Sequence, residues 1–381
     1  IHKAIYYQRV YADGSIHLEL AANRMQRVLF IVDEASMITN VAATSHGFDG
    51  RNVLADLFQY VYTGDRCRLL LIGDTAQLPP VGMSLSPALD ARLLRASYHV
   101  KIYEEELTDV VRQAQDSGIL TNATRLREKI GHDDVNLPLL QIGGYPDILK
   151  ISGYELQEAL QEHCSGEQLE ESVIITRSNK RANMFNEEIR QRILFREGEL
   201  NAGDLLMVVR NNYFWLEPES QAGFIANGDI IEVLRLSNHH ERYDLRFAEI
   251  QFRMLDYPDQ PPATATIVLN ALASPGPALV AEEQERLYRG VTADHSHILN
   301  RQARLEAVRS DPWYNALQVK FAYALTCHKT QGGQWRTVFV DQGYLRDGMV
   351  DKEYLRWLYT AITRGTEKVY LVGFSDRVAD S

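Results

Sequence analysis

Two textures alternate along the chain. In the first, short aliphatic runs stop abruptly on polar or glycine residues: VLFIVDE at 28–34, CRLLLIGD at 67–74, SVIITRSN at 172–179, TVFVDQG at 337–343 and KVYLVGF at 368–374. Continuous apolar strands separated by helical stretches predict an α/β fold, with parallel sheets covered by helices on both faces. Such buried strands expose function at their carboxyl ends, which is where the polar residues fall. The second texture runs from 200 to about 275, where NAGDLLMVVRNNYF, NGDIIEVLRLS and YDLRFAEIQFRML alternate apolar and polar residues between Gly-Asp and Asn-Gly pairs. That alternation predicts antiparallel hairpins in a small β-barrel inserted into the second α/β unit. Residues 281–310 are polar with helical spacing, and YYQRVYADGSIHLEL near the start predicts a hairpin turning at Asp13-Gly14.

Composition narrows the class without fixing it. A chain of 381 residues can bury more than one core, so two or three domains are expected. No run of about 18 apolar residues occurs, which predicts no membrane span. Cys67, Cys164 and Cys327 lack the spacing of a disulfide scaffold or metal site, and the expectation is a reduced, cytoplasmic protein. A net charge of −11 argues mildly against nucleic acid unless positive charge is local. Residues 177–196 carry six basic groups against two acids, which fits a strand-binding patch and fits a solvated helix face equally well. The chain opens at Ile1 without a methionine, as a cut inside a larger protein would.

The strand ends carry the candidate chemistry. Asp33 can hold Mg²⁺ through its waters while Glu34 polarises a water for attack on a γ-phosphate. In LLLIGDTAQLPPVG, Gln77 follows the strand-end Gly73-Asp74, and its amide can report a γ-phosphate, although a proline-terminated loop with a satisfied glutamine gives the same pattern. LTDVVRQ places Arg112 after a short apolar stretch, and YTAITRG places Arg364 before the last strand. Arginines at such edges can neutralise charge on a transferred phosphoryl group; each alone is also an ordinary surface arginine. In LTCHKTQGGQW, Thr326 and His328 can donate to strand phosphates, and Gln331, Gly332 and Gly333 permit close backbone approach. Tyr213, Phe214 and Trp335 can stack on bases, although core placement is expected for at least two of them.

Taken in order, IVDEASM, IGDTAQLPPVG, LTDVVRQ, LTCHKTQGGQW and YTAITRG resemble the motifs of superfamily 1B helicases of the RecD-like branch, akin to the alpha subunit of exodeoxyribonuclease V. ITRSNKRANMFNEEIR, with Asn179, and NGDIIEV are similar to further family segments, and the resemblance spans nearly the whole chain. It implies two RecA-like motor domains, one from 1–100 with a strand-separating pin near 6–20, the other from 101–199 with 311–381. Residues 200–310 would then form an inserted Src-homology-type barrel plus a helical segment. It implies ATP and Mg²⁺ as cofactors, with Asp33 on the metal through water and Glu34, Gln77, Arg112 and Arg364 in catalysis. Gly332 and Gln334 would approach the nucleotide, and His2, Asn179, Thr326 and His328 the DNA. The implied activity is ATP-driven 5′→3′ movement on single-stranded DNA, or on duplex with a 5′ tail, in DNA repair or recombination, with nuclease or recombination subunits as partners.

One departure stands out. The family's phosphate loop, G-x-x-x-x-G-K-[ST], is absent, since no Gly-Lys pair occurs and Lys329-Thr330 belongs to the segment after His328. The loop is expected upstream of Ile1, and these residues alone are expected to be inactive. Two rivals stay open: a non-catalytic module that binds single-stranded nucleic acid, and the motor subunit of a nuclease complex.

Overall fold

The computed structural model describes residues 1–10, 16–41, 51–107, 117–164, 166–217, 219–345, 348–375 and 378–380. The chain folds as two compact units. One comprises 1–141 with 331–333 and 345–363; the other comprises 142–330 with 334–344 and 364–381.

In the first unit, strands Leu29–Val32 and Arg68–Leu71 pair in parallel, Leu29 against Arg68 through Val32 against Leu71. Helix Val53–Thr63 links them, capped by the Asn52 side chain, which accepts the Ala55 N–H at 3.1 Å. Its buried face, Leu54, Leu57, Phe58 and Val61, packs with Val32, Phe30, Leu69 and Leu71 from the inward side of the strands. The hairpin expected near the start is present as strands Tyr6–Val10 and Ile16–Leu20, paired antiparallel, with Tyr6 opposite Leu20. Its turn at Asp13-Gly14 lies outside the described residues. Tyr6 ties the hairpin down by donating to Asp56 Oδ2 at 2.7 Å.

The second unit contains a five-stranded sheet, all parallel, in the order Ala324–Thr326, Ser172–Thr176, Trp335–Asp341, Gly365–Val372, Ile148–Ile151. Ser172–Thr176 is buried at every position, the continuous burial of a strand with both faces covered. Beside it is the expected barrel, closed by Leu205–Val208, Ile230–Arg242, Leu245–Met254, Ala263–Val268 and Leu317–Phe321. The first four strands come from the alternating region. The fifth, LQVKF, is buried throughout and carries no clean period-two signal. The polar stretch at 281–310 forms helices Ala281–Asp294 and Arg301–Arg309. Leu287, Val291 and Val308 from these helices pack on Leu245, Phe247 and Val268 of the barrel.

A buried ion cluster closes the seam of this unit. Asp204, fully buried, accepts from Arg190 at 3.1 Å, from Arg196 at 2.6 Å and from the Tyr323 hydroxyl at 2.7 Å. Arg190 lies 4.3 Å from the Phe321 ring centroid. Burial, then the charge on Asp204, drives the Tyr323 pKa upward and keeps its hydroxyl a donor. Removing one member of such a cluster strands the others without water or counterion. Asp204→Ala is therefore expected to lower stability by about 3–5 kcal/mol, read as a fall in the denaturation midpoint; a change within ~0.5 kcal/mol would show the cluster to be neutral.

Candidate functional site

Parallel pairing in the first unit sets two strand ends side by side. The Ile72 N–H donates to Val32 O at 2.9 Å and the Ala35 N–H to Ile72 O at 2.8 Å, so Asp33-Glu34 and Gly73-Asp74 leave adjacent strands. Glu34 adopts a left-handed backbone (φ 51°, ψ 39°), and its N–H donates to Asp33 Oδ1 at 2.8 Å. A non-glycine residue held there stores about 1–3 kcal/mol of strain, a cost found most often at functional sites. Asp33 is exposed and Glu34 half-buried. Gly332 belongs to the same unit and comes close to the pair. A Cβ on it would meet Glu34 Cγ and Oε1 at 3.9 Å, and its φ of +81° itself favours glycine.

The loop after Gly73 is held from several sides. Asp74 Oδ1 accepts from Arg127 Nη1 at 2.8 Å and from the Ala76 N–H at 3.0 Å, while Oδ2 accepts from the Tyr359 hydroxyl at 2.6 Å. Arg127 comes from helix Gly118–Gly131 and Tyr359 from helix Lys352–Ile362. Burial, then the charge and hydrogen bond of Asp74, push Tyr359 up to about 12. Burial works against the Arg127 charge, but Asp74 and Tyr359 outweigh it and its pKa rises. Gln77 sits in this loop with its Oε1 buried and without a hydrogen-bond partner among the described residues. The Ser36 hydroxyl, on the neighbouring acidic turn, is orphaned in the same way. An unmet buried acceptor costs about 1–3 kcal/mol, and a donor arriving with a ligand or water relieves that cost.

In the second unit, Thr326 pairs with Thr176 at the carboxyl edge of the sheet. Asn179 opens the helix that follows the neighbouring strand, and His328 lies in the short 3-10 turn Cys327–Thr330. These three expected strand-contacting residues thus share one edge, each half-buried. Gln334 falls elsewhere: it is exposed and precedes the amino end of strand Trp335–Asp341. Arg364 is buried in this unit, and its carbonyl accepts the Trp335 N–H at 3.0 Å. Burial raises the Cys327 thiol to about 12, with the Arg364 charge opposing. His2 starts the short helix His2–Ile5 in the first unit, and Arg112 lies outside the described residues.

The basic run at 177–196 is largely spent on internal pairs. Arg181 pairs with Asp341, Arg192 with Glu188, and Arg190 and Arg196 with Asp204. Of the three aromatics considered for stacking, only Trp335 is buried. Tyr213 is 48 % exposed and Phe214 38 %, against the expectation that at least two would be core. Tyr213 stacks on Phe224 at 5.0 Å, which holds its ring at the surface. A cavity of about 330 Å³ lies at the opposite, amino edge of the sheet, where Arg336 bridges Glu171 and Glu367. Among the described residues no group of three or more His, Cys, Asp or Glu is placed to hold a metal, and no helix is long and apolar enough to cross a membrane.

Residues 321–372 match the UvrD-like helicase C-terminal domain, a segment containing Thr326, His328, Gly332, Gln334 and Arg364. No curated protein matches the chain. Among solved structures, Bacteroides Pif1 bound to single-stranded DNA is 13% identical with a TM-score of 0.49, over 98% of this chain and 78% of that one. Pif1 helicase from Bacteroides in complex with ADP-AlF3 and single-stranded DNA is 14% identical, TM-score 0.46, over 93% and 72%. Pif1 helicase from Candida albicans is 16% identical, TM-score 0.41, over 93% and 74%.

Arg127, Tyr359 and Thr360 escaped the sequence reading, and Asp74 entered it only as a strand end. YTAITRG holds Tyr359 and Thr360, but nothing in that string says that they meet a loop some 280 residues earlier. Gly73 offers a direct probe of the strand-end geometry. A Cβ there would lie 2.8 Å from Ser36 N and 2.9 Å from Leu89 Cδ1. Gly73→Ala is expected to displace the acidic turn and cost about 1–3 kcal/mol, measured by thermal unfolding. An unchanged melting temperature would mean that the two turns are free to separate.

Proposed function

We propose that this chain is the greater part of an ATP-dependent DNA helicase of the RecD-like branch of superfamily 1B, moving 5′→3′ on single-stranded DNA. One observation carries the reading: an acidic strand end lies beside a loop whose glutamine oxygen is buried and unmatched among the described residues. The helicase-domain match at 321–372 supports it independently. Motor lobes at 1–100 and at 101–199 with 311–381, around an insertion at 200–310, belong to the same proposal, as does a strand-separating role for the hairpin.

Asp33 is suited to Mg²⁺, which keeps most of its waters and takes one or two carboxylates together with substrate phosphates. Bound there, the ion would neutralise charge on the phosphates. Glu34 orients and deprotonates the attacking water, and its strained backbone fixes the carboxylate next to Asp33. Gln77 Oε1 accepts from that water, which satisfies the orphaned oxygen only when substrate is present. Arg364 and Arg112 are assigned to charge on the transferred phosphoryl, and Gly332 and Gln334 to the nucleotide. Thr326, His328, Asn179 and His2 are assigned to the strand. Exposed Tyr213 and Phe214 can stack on bases of any sequence.

An exposed apolar sheet face supports the expectation that further secondary structure, with the phosphate loop, covers it. On the outward face of the two-stranded parallel sheet, Leu29, Ile31, Leu70 and Ile72 are 52, 61, 42 and 43 % exposed. Parallel sheets cover both faces, so an upstream strand and helix bearing the loop would complete this one. Single-strand-stimulated ATPase should be nil for these 381 residues and present when about a hundred upstream residues are added. An extended protein that binds single strands yet hydrolyses nothing would replace the motor with a non-catalytic binding module. In the extended form, Arg364→Ala should lower turnover by about 10³-fold with ATP affinity nearly intact; unchanged turnover removes Arg364 from the phosphoryl group.

A further inference from the structure

The loop carrying Gln77 is gripped by side chains that the proposed chemistry leaves unused. At its entry, Asp74 is held by the Tyr359 hydroxyl at 2.6 Å. At its exit, the Leu78 N–H donates to Thr360 Oγ1 at 3.0 Å, and Gln331 Nε2 donates to Leu78 O at 2.8 Å. Thr360 is fully buried and Leu78 almost so, so water does not compete for these bonds. The Leu78 N–H lies in the same peptide plane as the Gln77 carbonyl. Holding it restrains the Gln77 ψ angle and so the backbone from which the carboxamide projects. All of these residues belong to one compact unit.

We propose that Tyr359 and Thr360, adjacent on helix Lys352–Ile362, are positioning residues for Gln77, with Gln331 locking the peptide that follows. The Gln77 oxygen is thereby preset where its ligand arrives. Any movement of Gln77 is passed to that helix and to the turn containing Gln331, Gly332 and Gly333. This rests on the reading of Gln77 as the sensor of the terminal phosphate. Arg127 reinforces the entry point by sharing Asp74 Oδ1 with the Ala76 N–H.

Thr360→Val keeps the shape and removes the acceptor, whereas Thr360→Ser keeps it. In the upstream-extended protein, Thr360→Val should lower kcat by about 10-fold or more with the KM for ATP within about 2-fold, as expected when geometry rather than ground-state binding is lost. Thr360→Ser should restore turnover, and Tyr359→Phe should behave like Thr360→Val. Equal kcat in Thr360→Val and the parent would overturn the proposal. A second measurement needs no hydrolysis. In the 381-residue chain, the Leu78 amide should exchange with solvent about 5–10-fold faster in Thr360→Val, while amides of strand Arg68–Leu71 keep their protection. Should the extended parent prove inactive, the phosphate-sensor reading falls, and exchange alone decides the anchoring. Identical Leu78 exchange in the two proteins refutes it.

Discussion

Parallel pairing of two four-residue strands is the constraint on which the candidate site depends. Leu29–Val32 and Arg68–Leu71 are separated in sequence by a helix and a loop, yet their register makes Val32 and Leu71 neighbours. The acid pair and the loop bearing Gln77 both leave from that line. Asp33 and Glu34 follow one strand directly, while Gly73, Asp74 and Gln77 follow the other. A slip of one residue would exchange the inward face for the outward one and turn Val32 from the core to solvent. Gly73 shows how tightly the two turns fit, because Ser36 N occupies the space that a side chain would need.

Around this line the molecule keeps polar groups in two contrasting states. Asp74 is saturated, with Arg127, Tyr359 and the Ala76 N–H all directed at one carboxylate. Gln77, three residues on, presents a buried oxygen that no described residue meets. A rigid frame with one unmet acceptor is what a recognition loop needs, because the frame fixes position while the vacancy supplies affinity for a donor. The second unit is arranged likewise, with the one Asp204 carboxylate shared between two arginines. The basic run at 177–196 is therefore chiefly engaged in internal pairs, and the proposed strand contacts rest on the threonine, histidine and asparagine at the sheet edge. With basic charge consumed in this way, the net charge of −11 keeps its mild weight against a nucleic-acid partner.

What the sequence determined by itself is local. Five aliphatic runs were legible as parallel strands because they are apolar on both faces and show no polar alternation, although the first two leave one face exposed here. The hairpins after residue 200 were legible because one polar face imposes a period of two. The acid pair and Gln77 were legible because strand ends and turn residues are written in adjacent letters. Only the tertiary structure could decide what those letters meet. LQVKF closes the barrel without alternation because its environment, not its own pattern, buries it. Helix Lys352–Ile362 belongs with the first unit, where Tyr359 and Thr360 reach the Asp74–Leu78 loop. A hydrogen bond between residues some 280 apart leaves no periodic trace in the chain; it exists because two surfaces pack, and packing is settled by the whole fold.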